Sequence, residues 1–478
     1  MITEGQRIKF ELVPYTTGVG LDLSVGTKSK LFRHWISKAE TRGLDYEKLT
    51  EFRDGSLHFV FSSGVLERVT EQEKVSLLKL WWSKLEWGGN LCVLLETDDG
   101  KLEDRMGAVG FWDLKVKTEV GGLHLFVFHK IRDRASRRSY LAPVPQNATV
   151  VVRYGAIGDC WIMSSVLPGL KDAGRYVIAN VQETGLELLR GNPHIDAFLV
   201  QDRDQLENDE LTPWWEFLTE RFGQVVNLCE TMEGAVCTLP GRSDHAWPNH
   251  VRQKYLGARN YYEFAHDMAG VPLPPRPGFY PTAEERARAA KRRRDIGQDK
   301  FILLWVLAGS AVHKRLFQTD FVLGIPGSPG LLDRYPELHV IFVGDESCKI
   351  LEAGWEGHPK VTRASGEWSV RETLAMLDQV DCVVGPETGI VNAAGISDVP
   401  TVVALSHTSE HTLCAHWKNY TALTPENVPC FPCYRLHYGN GPFCDMQDGA
   451  AACVRALSHE VFQEAIASYI EQAQRSAA

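Results

Sequence analysis

Three short segments hold residue types that could grip a phosphorylated ligand and take a proton beside it. The first is Arg153-Tyr-Gly155-Ala-Ile-Gly158-Asp159, which follows the β-branched run Ala148-Thr-Val-Val-Val152 and leads into a helix-like stretch from Trp161 to Ala173. A strand, a glycine turn and a helix start put free backbone N–H groups and the positive end of a dipole beside whatever binds there. Asp159 stands in that turn, where a carboxylate can act as a general base towards a hydroxyl or as a cap for the helix that follows. A plain helix start does not account for both Gly155 and Gly158.

The second segment is Leu307-Ala-Gly309-Ser310-Ala-Val-His313-Lys314. Gly309 lets backbone approach a ligand, Ser310 offers a hydroxyl and an N–H, and Lys314 a mobile cation, which together suit a diphosphate. An ordinary strand–loop–helix with an exposed Lys-Arg pair reads the same way. The third is Gly385-Pro-Glu387-Thr388-Gly389-Ile-Val-Asn392-Ala-Ala-Gly395, just past the apolar run Asp381-Cys-Val-Val384. Here an acid, a hydroxyl and a glycine stand at a strand's carboxyl end and open a helix, where ligands of parallel sheets bind. The Glu387 carboxylate, an acceptor only, would suit sugar hydroxyls.

A fourth cluster is Cys430-Phe-Pro-Cys433 with Cys444, Cys453 and His437. Its spacing suits a structural zinc site in a reducing cell, with free thiols or disulfides as open alternatives. The other cysteines, such as Cys92 and Cys382, sit singly among apolar residues and behave as small hydrophobes.

The elements that must position these groups fall into three α/β blocks: residues 1–135, 148–281 and 282–478. In the first, Leu57–Ser62 and Asn90–Leu95 read as buried strands flanking a helix from Glu71 to Leu85. An antiparallel pair, Gly110–Thr118 and Leu123–His129, turns through Gly121-Gly122. The second block has strands at Tyr176–Asn180, Ala197–Val200 and Gln224–Leu228, spaced by helix-length segments, the pattern of a parallel sheet with crossover helices. Thr282-Ala-Glu-Glu285 is a capping box opening a helix that ends in Lys291-Arg-Arg-Arg294. That basic run reads as a solvated helix end in preference to a nucleic-acid contact. The third block has strands at Phe301–Leu307, His339–Val343, Cys382–Val384 and Thr401–Leu405.

The 478 residues carry a formal net charge of −10, which disfavours a broad basic surface for duplex nucleic acid without excluding a local patch. No secretory leader and no apolar run of membrane-span length stands out, so the expectation is a cytoplasmic protein with no membrane span. Oligomeric state is not legible.

From about Ala148 to the C-terminus the chain resembles glycosyltransferase family nine, the ADP-heptose:lipopolysaccharide heptosyltransferases. Arg153 to Asp159, Gly191-Asn-Pro-His-Ile-Asp196, Gly309-Ser310 with Lys314, and Gly385 to Gly389 carry the likeness. The resemblance implies a GT-B fold of two Rossmann-like domains and inverting transfer from a nucleoside-diphosphate sugar to a hydroxyl. It makes Asp159 the general base, and Ser310, Lys314, Glu387, Thr388, Gly389 and Asn392 the donor site. Glu387 stands where the family has Asp, and Asn392 where it has His, so a heptose donor is not secured. No Asp-x-Asp pair stands beside these donor segments to hold a divalent ion, so no cofactor is expected for catalysis. The acceptor could be lipopolysaccharide, another glycan or a modified nucleobase.

The first block resembles a class I S-adenosylmethionine-dependent methyltransferase through Gly18 to Gly26, Gly55 to Glu67 and Trp82 to Leu91. Where that family has Gly-x-Gly this chain has Ser24-Val-Gly26, and after Arg33-His-Trp-Ile36 the ribose-binding acid is missing. A serine side chain intrudes where backbone must approach the cofactor. The expectation is a third Rossmann-like domain that is degenerate and serves as a scaffold. A bifunctional methyltransferase–glycosyltransferase and a non-catalytic nucleotide-sugar-binding protein are the competing readings.

Overall fold

The computed structural model describes residues 2–24, 36–37, 49, 52–110, 112–131, 145–203, 205–229, 235–238, 242–308, 314, 319–324, 329–436, 444, 446–447 and 450–477. The chain divides into two compact units. The first is Met1–Val152 with Gly174–Glu183 and Ile195–Val226; the second is Arg153–Ala173, Thr184–His194 and Asn227–Ala478. Both are mixed α/β.

The first unit holds two sheets. Strands β1 (Gly20–Asp22), β2 (Ile36–Ser37), β3 (Leu57–Ser63), β4 (Leu85–Leu95), β5 (Trp112–Val120) and β6 (Leu123–Lys130) lie in the order β2-β1-β3-β4-β6-β5. The first four run parallel, and β6 is antiparallel to β4 and β5. The expected hairpin forms because Gly121 and Gly122 supply the positive φ its tight turn needs (60° and 76°). The expected helix runs Glu71–Lys84 behind a Thr70/Glu73 capping box. Val25, Gly26 and Arg33–Trp35 lie outside the described residues. Ser24 is described, and its hydroxyl turns onto the buried Asp22 carboxylate at 2.5 Å.

The second sheet, β7 (Ala148–Val152), β8 (Tyr176–Val181), β9 (Ala197–Val200) and β10 (Gln224–Asn227), has the order β10-β7-β8-β9. Its helix Leu211–Phe222 receives the N-terminal helix Glu4–Leu12. Phe10 meets Trp214 edge-on at 5.5 Å and packs on Phe217, while Lys9 pairs with Glu210 at 2.5 Å. The first helix therefore shares its apolar cluster with the second sheet, a pairing that no local pattern in the sequence encodes.

The second unit is built on one parallel sheet. Strands β11 (Phe301–Val306), β12 (Leu338–Val343), β13 (Val361–Arg363), β14 (Cys382–Pro386), β15 (Thr401–Ala404) and β16 (Tyr420–Leu423) lie in the order β13-β12-β11-β14-β15-β16. The four central strands are buried residue after residue, apart from the half-exposed His339, and so they read as unbroken apolar runs. The edges β13 and β16 are only partly buried and mix polar with apolar residues, which hid them. All the strands run parallel, and the order in which they are added reverses between β11 and β14, leaving a crevice at their carboxyl ends.

The stretch after Asp159 forms two helices, Ile157–Ser164 and Leu167–Asp172. Pro168 has no N–H for the Ser164 carbonyl, and the Ser164 and Ser165 hydroxyls bond back to Trp161 and Ile162 instead. The capping box opens the helix Ala283–Ile296 as expected. Its basic end meets acids: Lys291 pairs with Asp295, Arg292 with Glu372 and Arg293 with Asp381. Among the described residues no helix is long and apolar enough to cross a membrane.

A buried ion pair ties this unit together. Arg371 is 1% exposed, and its guanidinium grips both oxygens of Glu285 at 2.6 and 2.8 Å while also donating to the carbonyls of Glu187, Leu188 and Arg190. Those bonds hold Glu285 down to about 2 against the opposing effect of burial. Its folded value lies below its unfolded one near ~4.3, so the stabilisation is complete above that pH and lost as pH falls towards 2. Between about pH 5 and 2 the thermal midpoint of the natural protein should therefore fall more steeply than that of Glu285→Gln. Parallel curves would remove this pair from the acid response.

Candidate functional site

Asp159 occupies the first turn of the helix Ile157–Ser164. Its Oδ1 receives the buried Arg153 guanidinium at 2.5 Å, and its Oδ2 accepts the Ala156 N–H at 2.8 Å. Arg153 is anchored in turn by the Leu228 carbonyl at 2.9 Å. Asp159 is therefore not the N-cap but the third residue of its helix, and it bonds back to the N–H of the N-cap residue Ala156. The side chain keeps 30% exposure. Gly155 is explained by the same carboxylate. Its φ is +119°, and a methyl there would come within 2.6 Å of Asp159 Oδ2.

Glu387, Thr388 and Gly389 stand where β14 ends and the helix Gly389–Ile396 begins. Thr388 is the N-cap residue, its side chain receiving the Val391 N–H at 3.5 Å. Lys314 reaches this turn, its Nζ donating to the Glu387 carbonyl oxygen at 2.9 Å. Gly309 and Ser310 lie outside the described residues.

The Glu387 carboxylate is bonded to the loop after β15. It accepts the Ser406 hydroxyl at 2.5 Å, the Thr408 hydroxyl at 2.6 Å, the Thr408 and His407 N–H groups, and lies against His407 Nδ1. Burial would push this carboxyl up, but His407, Lys314 and the Ser406 hydroxyl outweigh it and hold it well below the usual carboxylate range. Burial pushes the His407 imidazole down. A neutral ring donating its Nδ1–H makes the same bond. Asn392 is likewise engaged: its Oδ1 accepts Tyr262 Oη at 2.7 Å and Trp417 Nε1 at 3.2 Å.

The helices that begin at Ile157 and Gly389 meet at their first turns. A methyl at Gly389 would lie 2.6 Å from Gly158 N and 2.9 Å from Ile157 Cγ2. A methyl at Gly158 would make ordinary contact, 3.5 Å from Gly389 Cα. Only residue 389 is sterically bound to be glycine by this contact.

Asp159, Gly158, Lys314, Glu387, Thr388, Gly389 and Asn392 line one cavity of about 760 Å³, and all belong to the second unit. Three sheet ends contribute to it: Val306–Ala308 from β11, Val343–Asp345 from β12 and Glu387–Thr388 from β14. That volume falls in the range of small-molecule sites. Asp345 is not among the residues expected here, although Gly344-Asp345 follows an apolar run just as the other segments do. Trp368, whose ring carries the Arg292 guanidinium at 4.0 Å, lies on a loop with no periodic signal. Tyr261 reaches the cavity through tertiary packing alone.

The cysteine cluster behaves differently. Cys430 is exposed, Cys433 and Cys453 are buried, and Cys444 is partly buried. Among the described residues no group of three or more His, Cys, Asp or Glu side chains is arranged to hold a metal ion. His437 lies outside them. The zinc alternative receives no support from this geometry.

No family model and no curated protein matches the chain. Its structure is similar to E. coli ADP-heptose LPS heptosyltransferase II, at 14% identity and a TM-score of 0.46 over 68% of this chain and 99% of that one. A family 9 glycosyl transferase from Veillonella parvula is similar at 16% identity and 0.49, over 69% and 99%. A SAM dependent methyltransferase from Archaeoglobus fulgidus matches at 13% identity and 0.21, covering 26% of this chain and 94% of its own.

The glycine contact generates a paired prediction. Gly389→Ala should lower stability by about 1–3 kcal/mol through overpacking, whereas Gly158→Ala should cost less than about 1 kcal/mol. Denaturant unfolding of both variants decides it, and equal losses would mean the helices do not touch there.

Proposed function

We infer that the protein is a glycosyltransferase, moving a sugar from a nucleoside diphosphate to an acceptor hydroxyl with inversion and without a divalent ion. The observation that carries this reading is the shared cavity: a carboxylate on one helix start, and a cation with a second helix start beside it.

In this scheme Asp159 accepts the proton of the acceptor hydroxyl while its oxygen attacks the anomeric carbon. The bond from that carbon to the diphosphate oxygen breaks on the opposite face, and the electron pair leaves with the nucleoside diphosphate. Lys314, Ser310 and the free N–H groups at Gly389 and beyond would meet the developing charge. Arg153 and the Ala156 N–H hold the base in place without occupying all its lone pairs. Glu387, with its carboxylate committed to residues 406–408, would shape the donor wall from behind. Asn392 would act at the same wall.

The domain scheme proposed with this function keeps residues 148–281 as acceptor domain and 282–478 as donor domain. Residues 1–135 form a methyltransferase-like scaffold without a working cofactor site. A cytoplasmic location fits a sugar-nucleotide donor. The similarity to enzymes named for ADP-heptose suggests an ADP-linked donor as the first to try.

Asp159→Asn keeps an oxygen for the Ala156 N–H and removes the base. Turnover of ADP-, GDP-, UDP- and dTDP-linked sugars, read as nucleoside diphosphate release, should fall about 10²- to 10⁴-fold in this variant. Affinity for the released diphosphate should stay within about twofold. A natural protein that binds nucleoside diphosphates but turns over no donor would point to a sugar-nucleotide-binding module instead.

A further inference from the structure

One turn below the Gly158–Gly389 contact the same two helices meet again, this time through side chains. Trp161 follows Gly158 by three residues and Asn392 follows Gly389 by three, so each projects from the face its glycine occupies. Tyr262, on the helix Tyr261–Ala269, stands between them. Trp161 Nε1 donates to Tyr262 Oη at 3.1 Å, and Tyr262 Oη donates to Asn392 Oδ1 at 2.7 Å. Trp417 Nε1 donates to the same Oδ1 at 3.2 Å, and its ring lies flush against Gly395, one turn further down the second helix. The four residues are 5%, 0%, 4% and 7% exposed.

The polarity of this chain of bonds has no freedom. An indole N–H can only donate, so the phenol must accept from Trp161, and its single proton can go only to Asn392. Apolar packing would hold two helices together but would let them roll. A directional bond at each end of one hydroxyl fixes their mutual tilt, because bonds of this kind weaken steeply with misalignment. Asp159 lies two residues before Trp161, and the cradle N–H groups begin three residues before Asn392. Any roll at the lower contact is therefore passed to the two chemical groups above it.

We propose that Tyr262 is a positioning residue, whose hydroxyl sets the Asp159 helix against the helix that presents the phosphate cradle. The inference rests on the glycosyltransferase reading above. It assigns a role to Asn392 that differs from direct contact with the donor: its Oδ1 is the shared acceptor that joins Tyr262 and Trp417.

The test uses full-length Tyr262→Phe, Trp161→Phe and the double variant, assayed with the donor of the panel that the natural protein turns over. Each single variant should lose about ten- to hundredfold in kcat, since small misplacements of reacting groups cost that much. KM for the donor and the affinity for its nucleoside diphosphate should stay within about twofold, because the cradle itself is intact. The losses should be non-additive in the double variant, as both substitutions break one chain of bonds. Unchanged kcat overturns the proposal, and so does a parallel loss of kcat and diphosphate affinity, which marks general loosening of the site. A natural protein silent towards every donor removes the glycosyltransferase reading and the positioning role with it.

Discussion

Two helices start within van der Waals distance of each other, and they can do so because residue 389 has no side chain. A methyl there would fall 2.6 Å from the backbone nitrogen of Gly158. This approach has an electrostatic consequence. Each helix start carries roughly half a positive charge, so bringing two together is unfavourable unless an anion stands near. The chain supplies one in Asp159, whose carboxylate bonds back to the start of its own helix. A bound diphosphate would supply the next, and Lys314 adds a cation to receive it.

The surrounding polar groups serve to keep these few atoms in place. Arg153 is buried, so its ion pair with Asp159 is shielded from solvent on one side while the carboxylate stays accessible on the other. Glu387 gathers three consecutive residues of the neighbouring loop through its carboxylate and receives Lys314 on its backbone carbonyl. Such buried networks are costly when half satisfied and rigid when complete. Further out, the Arg371–Glu285 pair fastens the end of the helix Glu183–Leu189 to the body of the second unit.

Much of this was legible in the chain because the relevant signals are local. The central strands of the parallel sheet are buried on both faces and so read as continuous apolar runs. The Thr70 and Thr282 boxes announce their helices within four residues. The turn at Asp159 and that at Gly389 were recognisable because glycine, acid and hydroxyl follow a strand directly. What escaped depends on groups far apart in sequence. The fate of the Glu387 carboxylate is set by residues 406–408, and the bond from Tyr262 to Asn392 spans two elements with no shared pattern. The docking of Phe10 on Trp214 is likewise a tertiary choice. Pro168 carries a local signal for the break between the helices Ile157–Ser164 and Leu167–Asp172, although the apolar run around it reads as one helix. Residues 309 and 310, expected at the donor phosphates, lie outside the described chain, so their place rests on the sequence.

The proposed transfer requires phosphate and base to meet in one cavity. A crystal structure with a bound nucleoside diphosphate measures that directly. Phosphate oxygens should lie within about 3.2 Å of the Lys314 ammonium and of backbone N–H groups at the start of the helix Gly389–Ile396, with the terminal phosphate directed towards Asp159. A nucleotide held elsewhere, or one whose phosphates point away from Asp159, would contradict it.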